Sequence, residues 1–350
     1  MARVEPLIEY ATTADGVRIA TQCLGSGPPV LMPATLPWSH VQQDLRIPAV
    51  GAWIRSIAEG ARVVRYDARG TGLSDREAVD FSLDAQLRDL EAVVHHYALD
   101  SFAVWGAIGG SQVSIAYTAR QPERVSRLML WGAFARFDSL SVPGLDAFTT
   151  LMRDNWRFFT DAYAQAAFGW PDSDTAAQYA QLTRDCITQP AMLELMRQMS
   201  EIDVSGEART IRTPTLVLVR RGATIAGVEQ ARALVGLIPT ARLLILEGSS
   251  HAPFLERPED ATAALHEFVT ADVEVRVPRP APMPLTERER QVLQLLANGR
   301  TGKEIAAQLS ISLPTAQRHI ANIYGKIGAR GRVEAAAYAF EHGMIGKRGA

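Results

Sequence analysis

Three stretches of the 350-residue chain have the spacing of a nucleophilic acyl-transfer site, and two of them lack the residue that would do the chemistry. The apolar run Phe102-Ala103-Val104-Trp105 ends in Gly106-Ala107-Ile108-Gly109-Gly110, and a helical pattern follows from about Ser111 to Arg120. Glycines flanking position 108 suit a sharp strand-to-helix turn of the G-x-S-x-G kind, which presents one side chain for attack on a carbonyl. Here that side chain is Ile108, which has no lone pair. A histidine base is in place within Gly248-Ser249-Ser250-His251-Ala252-Pro253-Phe254. The acid that would orient it should follow the strand Thr215–Val219, where the chain reads Arg220-Arg221-Gly222-Ala223-Thr224, with Ala223 at the expected place. Losing the nucleophile of such a triad costs roughly a million-fold in turnover. Ser111 is a poor substitute, because it sits on the helix and points away by about one turn's rise. Asp67 and Asp75 could replace the acid only if their turn approached His251; fixing that turn is the simpler role.

A different chemistry lies at the C-terminal end. Residues 276–350 carry 12 Lys and Arg against 5 Asp and Glu, whereas the remainder carries 24 against 33, so a basic segment follows an acidic body. That asymmetry points the tail, and not the body, at a polyanion. The tail reads as four helices. Thr286 and Glu289 form a capping box ahead of Val292, Leu295 and Leu296, and Asn298-Gly299 ends the first helix. Lys303–Leu309 is the second. Ser310-Ile311-Ser312 links it to a third from about Pro314 to Ile327, with Ala316, Ile320 and Ile323 on one face, and Val333–Phe340 is the fourth. The third helix would enter a major groove N-terminus first, with Thr315, Gln317, Arg318 and Asn322 reaching bases or phosphates. Lys303 and Lys326 are expected on phosphates, and His319 as a weak contact.

The body must position the disarmed triad. Its apolar runs at Val17–Thr21, Pro29–Met32, Arg62–Tyr66, Phe102–Trp105 and Leu128–Trp131 alternate with helical patterns in the later part, as a mostly parallel sheet covered on both faces requires. Residues 136–206 interrupt this with helices rich in large side chains, expected as a lid over the strand ends. The pattern resumes at Thr215–Val219, Val228–Leu237, Arg242–Leu246 and Pro258–Val269. Prolines at 278, 280, 282 and 284 mark residues 273–284 as a linker between a body of 1–272 and a tail of 285–350. An apolar fraction of 47% with 21% charged residues fits a folded soluble chain. Cys23 and Cys186 have no metal or redox spacing and read as incidental thiols, so neither metal nor cofactor is expected. With no basic-then-apolar leader and no bilayer-length apolar run, the expected location is the cytoplasm.

The tail, from LTERERQVLQLL to EAAAYA, closely resembles the LuxR/GerE family of DNA-binding domains, with Gly302, Ala316 and Ile327 as small departures. Ala316 replaces a valine, which could loosen packing or alter base contact. Val64–Asp75, with its Asp67-Ala68-Arg69-Gly70-Thr71-Gly72 turn, Gln121–Val125 and the His251 segment resemble the α/β-hydrolase superfamily. Trp38-Ser39-His40-Val41 resembles a segment of bacterial regulators that join such a body to a LuxR-type tail. The resemblance implies an α/β-hydrolase fold with an inserted helical lid, a small all-α helix-turn-helix domain, double-stranded DNA as partner and a homodimer. It also gives the pocket a use as a sensor of a small organic effector. Trp38, His40, Ile108, Gly109, Trp156, Phe159, Tyr163, Met196, Ala223 and His251 are the expected ligand contacts, with the amides of Gly109 and of the Thr35-Leu36 loop as oxygen donors. An active ester or lactone hydrolase that also binds DNA is the main alternative, and a body that serves only to dimerise is a third.

Overall fold

The computed structural model describes residues 6–137, 145–168, 173–270, 285–327, 331–341 and 344; the expected linker, 273–284, lies outside them. The chain divides into two compact units, Met1–Val275 and Arg276–Ala350.

The first unit holds an eight-stranded sheet in the order β1-β2-β4-β3-β5-β6-β7-β8. Its strands are β1 (Ile8–Thr12), β2 (Arg18–Leu24), β3 (Pro29–Met32), β4 (Arg62–Tyr66), β5 (Phe102–Ala107), β6 (Val125–Trp131), β7 (Thr215–Arg220) and β8 (Ala241–Leu246). Pairing is antiparallel for β1–β2 and β2–β4 and parallel from β4 onward. All six residues of β5 are buried, as a central parallel strand covered on both faces demands. The sequence pattern does not reveal β1. It is an edge strand with only Ala11 buried, so it has no apolar run to read.

Helices α1 (Pro48–Ala58) and α10 (Pro258–Thr270) pack together, and α2 (Leu83–His96), α3 (Gly110–Arg120), α8 (Ser205–Thr210) and α9 (Val228–Leu237) pack in a series. Between β6 and α8 come α4 (Leu145–Asp154), α5 (Trp156–Phe168), α6 (Ser173–Cys186) and α7 (Gln189–Glu201), the helical insert. Its two stems form a bridge between Arg136 and Asp203 and share a partner in α3. Gln112 Nε2 of α3 donates to Ala135 O (3.3 Å) and Ile202 O (3.1 Å), and Val204 N–H donates to Ala135 O at 3.1 Å.

The β5–α3 turn has the sharp geometry its glycines suggest. Ile108 lies at φ +47°, a left-handed conformation that a β-branched residue rarely adopts. A Cβ at Gly106 would lie 2.3 Å from Ser114 Oγ, one at Gly109 2.8 Å from Leu36 O, and one at Gly110 2.9 Å from Ala34 O. These three glycines are therefore close-approach positions. Gly106→Ala is expected to destabilise the body by about 2–3 kcal/mol through overpacking. Ser114 cannot yield easily, because its hydroxyl donates to Gly110 O at 2.6 Å. Gly236→Ala, with nothing within 4 Å of the new Cβ, is the control and leaves stability unchanged or slightly raised in the same urea titration.

The second unit has α11 (Glu287–Ala297), α12 (Gly302–Gln308), α13 (Leu313–Ile327) and α14 (Arg332–Glu341). Capping boxes start α11 (Thr286 with Glu289) and α12 (Thr301 with Glu304). Leu285, Val292, Leu293, Leu296, Ile305, Ala306, Ala316, Ile323, Ala335 and Ala339 form its core.

Candidate functional site

A cavity of about 160 Å³ lies where β3, β4, β5 and the β7 and β8 loops end. Its walls are aromatic: Trp38, Trp53, Tyr66, Trp105, Tyr163, Tyr179 and Phe254 line it, with Ile108, His40 and His251. Five of the ten residues expected from sequence are therefore brought together here: Trp38, His40, Ile108, Tyr163 and His251. Gly109, Trp156, Phe159, Met196 and Ala223 are not among the lining residues. The reason is packing. Trp156 stacks on Phe159 (5.6 Å) and Phe159 on Tyr163 (5.4 Å), so only the last ring of that ladder reaches the cavity, where Tyr163 stacks on Trp38 at 5.1 Å. From the methionine-rich α7, it is Met199 whose Cε lies against Gly109, 3.3 Å from where a Cβ would stand. Sequence reasoning missed Trp53, Tyr179 and Ile225. Trp53 lies on α1, whose apolar residues are the same whether they pack in a core or line a pocket; Phe254 was within the histidine motif but without an assigned role.

Both histidines are buried enough that their imidazoles are held below the ordinary value of 6.5, chiefly by desolvation. Each has one ring nitrogen occupied by a backbone amide. Gln43 N–H donates to His40 Nδ1 at 3.2 Å, and Ile225 N–H donates to His251 Nε2 at 3.2 Å. The neutral rings thus carry their protons on His40 Nε2 and His251 Nδ1. The His251 loop is fixed by Trp131 Nε1–H donating to His251 O (2.7 Å) and by Arg220 guanidinium bonds to Ala252 O and Leu255 O.

The candidate substitutes for the triad are engaged elsewhere. Ser111 is fully buried and its hydroxyl donates to Ile108 O at 2.6 Å. Asp67 accepts from Val41 N–H (2.7 Å) and Leu73 N–H (2.9 Å), and Asp75 from Arg18 N–H (2.8 Å), so both fix the turn. Burial pushes the Asp67 carboxyl up to about 7 against the pull of the Leu73 and Val41 amides. Of the expected oxygen donors, the Leu36 amide is already bonded to Ala34 O at 3.2 Å.

In the tail, Lys303, Thr315, Gln317, Arg318 and Asn322 are exposed, and His319 is half-buried. Two expectations change. Ala316 is fully buried, so it packs in the core and does not touch bases. Lys326 is half-buried and paired within the domain: its Nζ donates to Glu289 Oε2 at 2.6 Å, and the Glu289 side chain is 5% exposed. The same carboxylate oxygen closes the α11 capping box. A pair 37 residues apart leaves no short-range signal, which is why Lys326 read as a phosphate contact.

The sheet, the helical insert and the cavity at the strand ends define an α/β-hydrolase architecture, followed by a helix-turn-helix unit. A family model described as "alpha/beta hydrolase fold" matches residues 28–258, and the chain belongs to that family. A model described as "Bacterial regulatory proteins, luxR family" matches residues 283–339, which makes the second unit a LuxR-type DNA-binding domain. The chain is 27% identical over 277 residues to a non-heme haloperoxidase of Rhodococcus erythropolis, covering 74% of this chain and 98% of that protein. It is 38% identical over 90 residues to the transcriptional regulatory protein UhpA of Escherichia coli, covering 24% of this chain and 46% of UhpA. An esterase from Exiguobacterium antarcticum superposes with a TM-score of 0.67 at 20% identity, over 76% of this chain and all of that one, which shows the shared fold. No helix among the described residues is long and apolar enough to cross a membrane.

Two predictions follow from these contacts. As pH falls through 6.5, the unfolded chain takes up protons on His40 and His251 before the folded body does, so their contribution to stability is present above 6.5 and lost below it. Thermal melts from pH 7.5 to 5 should therefore fall less steeply in the His40→Gln, His251→Gln double variant than in the natural chain. In the tail, Lys326→Ala is expected to destabilise the domain by about 2 kcal/mol, because it leaves a buried carboxylate without its charged donor. Chemical denaturation reads this without DNA, and an unchanged midpoint would return Lys326 to the phosphate contacts.

Proposed function

We propose that this chain is a ligand-responsive transcriptional regulator. Its hydrolase-fold body is catalytically inactive and holds a small organic effector, and its LuxR-type unit binds double-stranded DNA as a homodimer in the cytoplasm. The observation that carries the reading is the combination at the cavity: Ile108 occupies the turn where a nucleophile belongs, and the Ile225 amide occupies His251 Nε2. No acid stands at Ala223 to hold the ring for proton transfer. What persists is an aromatic-walled cavity with a few polar groups, the usual make-up of a small-molecule site. The effector shifts DNA binding to the extent that it favours one state of the protein over another.

The retained turn and histidine favour one second reading, an ester or lactone hydrolase joined to a DNA-binding domain. Hydrolysis of p-nitrophenyl acetate by the full chain separates the two. The regulator reading expects no turnover above that of the His251→Ala variant, and none from Ile108→Ser, since restoring a hydroxyl supplies neither the acid nor a free Nε2. Turnover abolished by His251→Ala would overturn it. For the tail, Arg318→Ala should weaken binding to duplexes selected by the natural protein by about tenfold, the scale of one side chain reading a base. A gel shift with unchanged affinity counts against α13 as the reading helix.

A further inference from the structure

The cavity also carries information about what fills it. This inference rests on the reading of the body as a binding domain and concerns the chemistry of the occupant.

The polar groups of the wall are unevenly matched. The carboxylate acceptors are occupied: both Asp44 carboxylate oxygens accept from Arg65 Nη2 (2.6 and 2.9 Å), and the Asp67 oxygens accept the Val41 and Leu73 amides. The donors are in surplus. His40 has its Nδ1 filled by the Gln43 amide, which leaves the Nε2 proton. His251 has its Nε2 filled by the Ile225 amide, which leaves the Nδ1 proton. Both histidines line the cavity. A buried donor without a partner is costly, so a molecule that brings acceptors is favoured over one that brings donors.

Charge narrows this further. Arg65 is neutralised by Asp44 at 2.6 Å, and Asp67 stands in the same wall, fully buried. Burial keeps both imidazoles neutral at pH 7. The wall therefore offers no unbalanced cation to a bound carboxylate. Size and lining set the rest. A cavity of about 160 Å³ compares with the roughly 150 Å³ of an apolar cavity that admits benzene, and here the faces are indole, phenol and phenyl rings.

We propose that the body recognises a small, uncharged, ring-bearing carbonyl compound, whose oxygen accepts from the side-chain N–H groups of His40 and His251 and whose ring lies among the aromatic walls. Recognition is by neutral hydrogen bonding and not by ion pairing.

Four probes of similar size test this by calorimetric titration into the full chain at pH 7.5: acetophenone, benzamide, benzoate and ethylbenzene. Acetophenone and benzamide are expected to bind at least about tenfold more tightly than ethylbenzene, which lacks the acceptor, and than benzoate, which adds a charge. In His40→Phe the acetophenone-to-ethylbenzene ratio should shrink to less than about threefold, the mark of a lost donor. The probe ratios in the natural chain stand by themselves if that variant does not fold. Equal binding of ethylbenzene, tightest binding of benzoate, or no binding of any probe at about 10 mM would each overturn the inference, the last being a concentration at which even weak fragments register. Failure of the underlying regulator reading shows elsewhere, as ester turnover or as absent DNA binding, neither of which this titration measures.

Discussion

A left-handed isoleucine at the end of the central strand is the constraint around which the body is built. Ile108 can hold φ +47° only because the surrounding backbone leaves no other course. Its amide donates to Trp131 O at 3.0 Å, its carbonyl accepts the Ser111 amide and hydroxyl, and the glycines at 106, 109 and 110 let α3 and the loop that carries Ala34 and Leu36 close around it. Such strain ordinarily persists where the conformation serves a purpose. Here it turns the chain from the end of β5 into α3.

The same economy of contacts explains the histidine. In a working triad one imidazole nitrogen faces an acid and the other a nucleophile. In this chain the Ile225 amide has taken one of those places, and the tautomer is fixed by a neutral backbone donor. His40 repeats the arrangement with the Gln43 amide. Two rings whose protons are directed by backbone groups have become fixed donors, which suits recognition better than proton transfer.

Much of this was legible in the chain alone. The glycine spacing announced the turn, and the capping residue Thr286 placed the first tail helix to the residue. The features that escaped are those set by tertiary neighbours. Edge strand β1 buries one side chain and has no period to detect. Trp156 and Phe159 share the composition of a pocket wall, yet the ladder they form ends at Tyr163, and only a structure shows which rung is last. Lys326 lies on the helix that carries the exposed recognition residues, and its role was decided by a carboxylate on α11. In each case the residue type was compatible with both roles, and distance in three dimensions chose between them.

The two stems of the helical insert end on one amide. Gln112, a single turn beyond Ile108 on α3, bonds to the carbonyls of Ala135 and Ile202, one on the way into the insert and one on the way out. The insert is tied to the body again at α6, where Gly72 N–H donates to Cys186 O at 2.9 Å and Trp38 Nε1–H to Thr183 Oγ1 at 2.8 Å. The wall that carries Tyr163 and Tyr179 is thus pinned at its stems and once more along α6, which gives that side of the cavity a set shape.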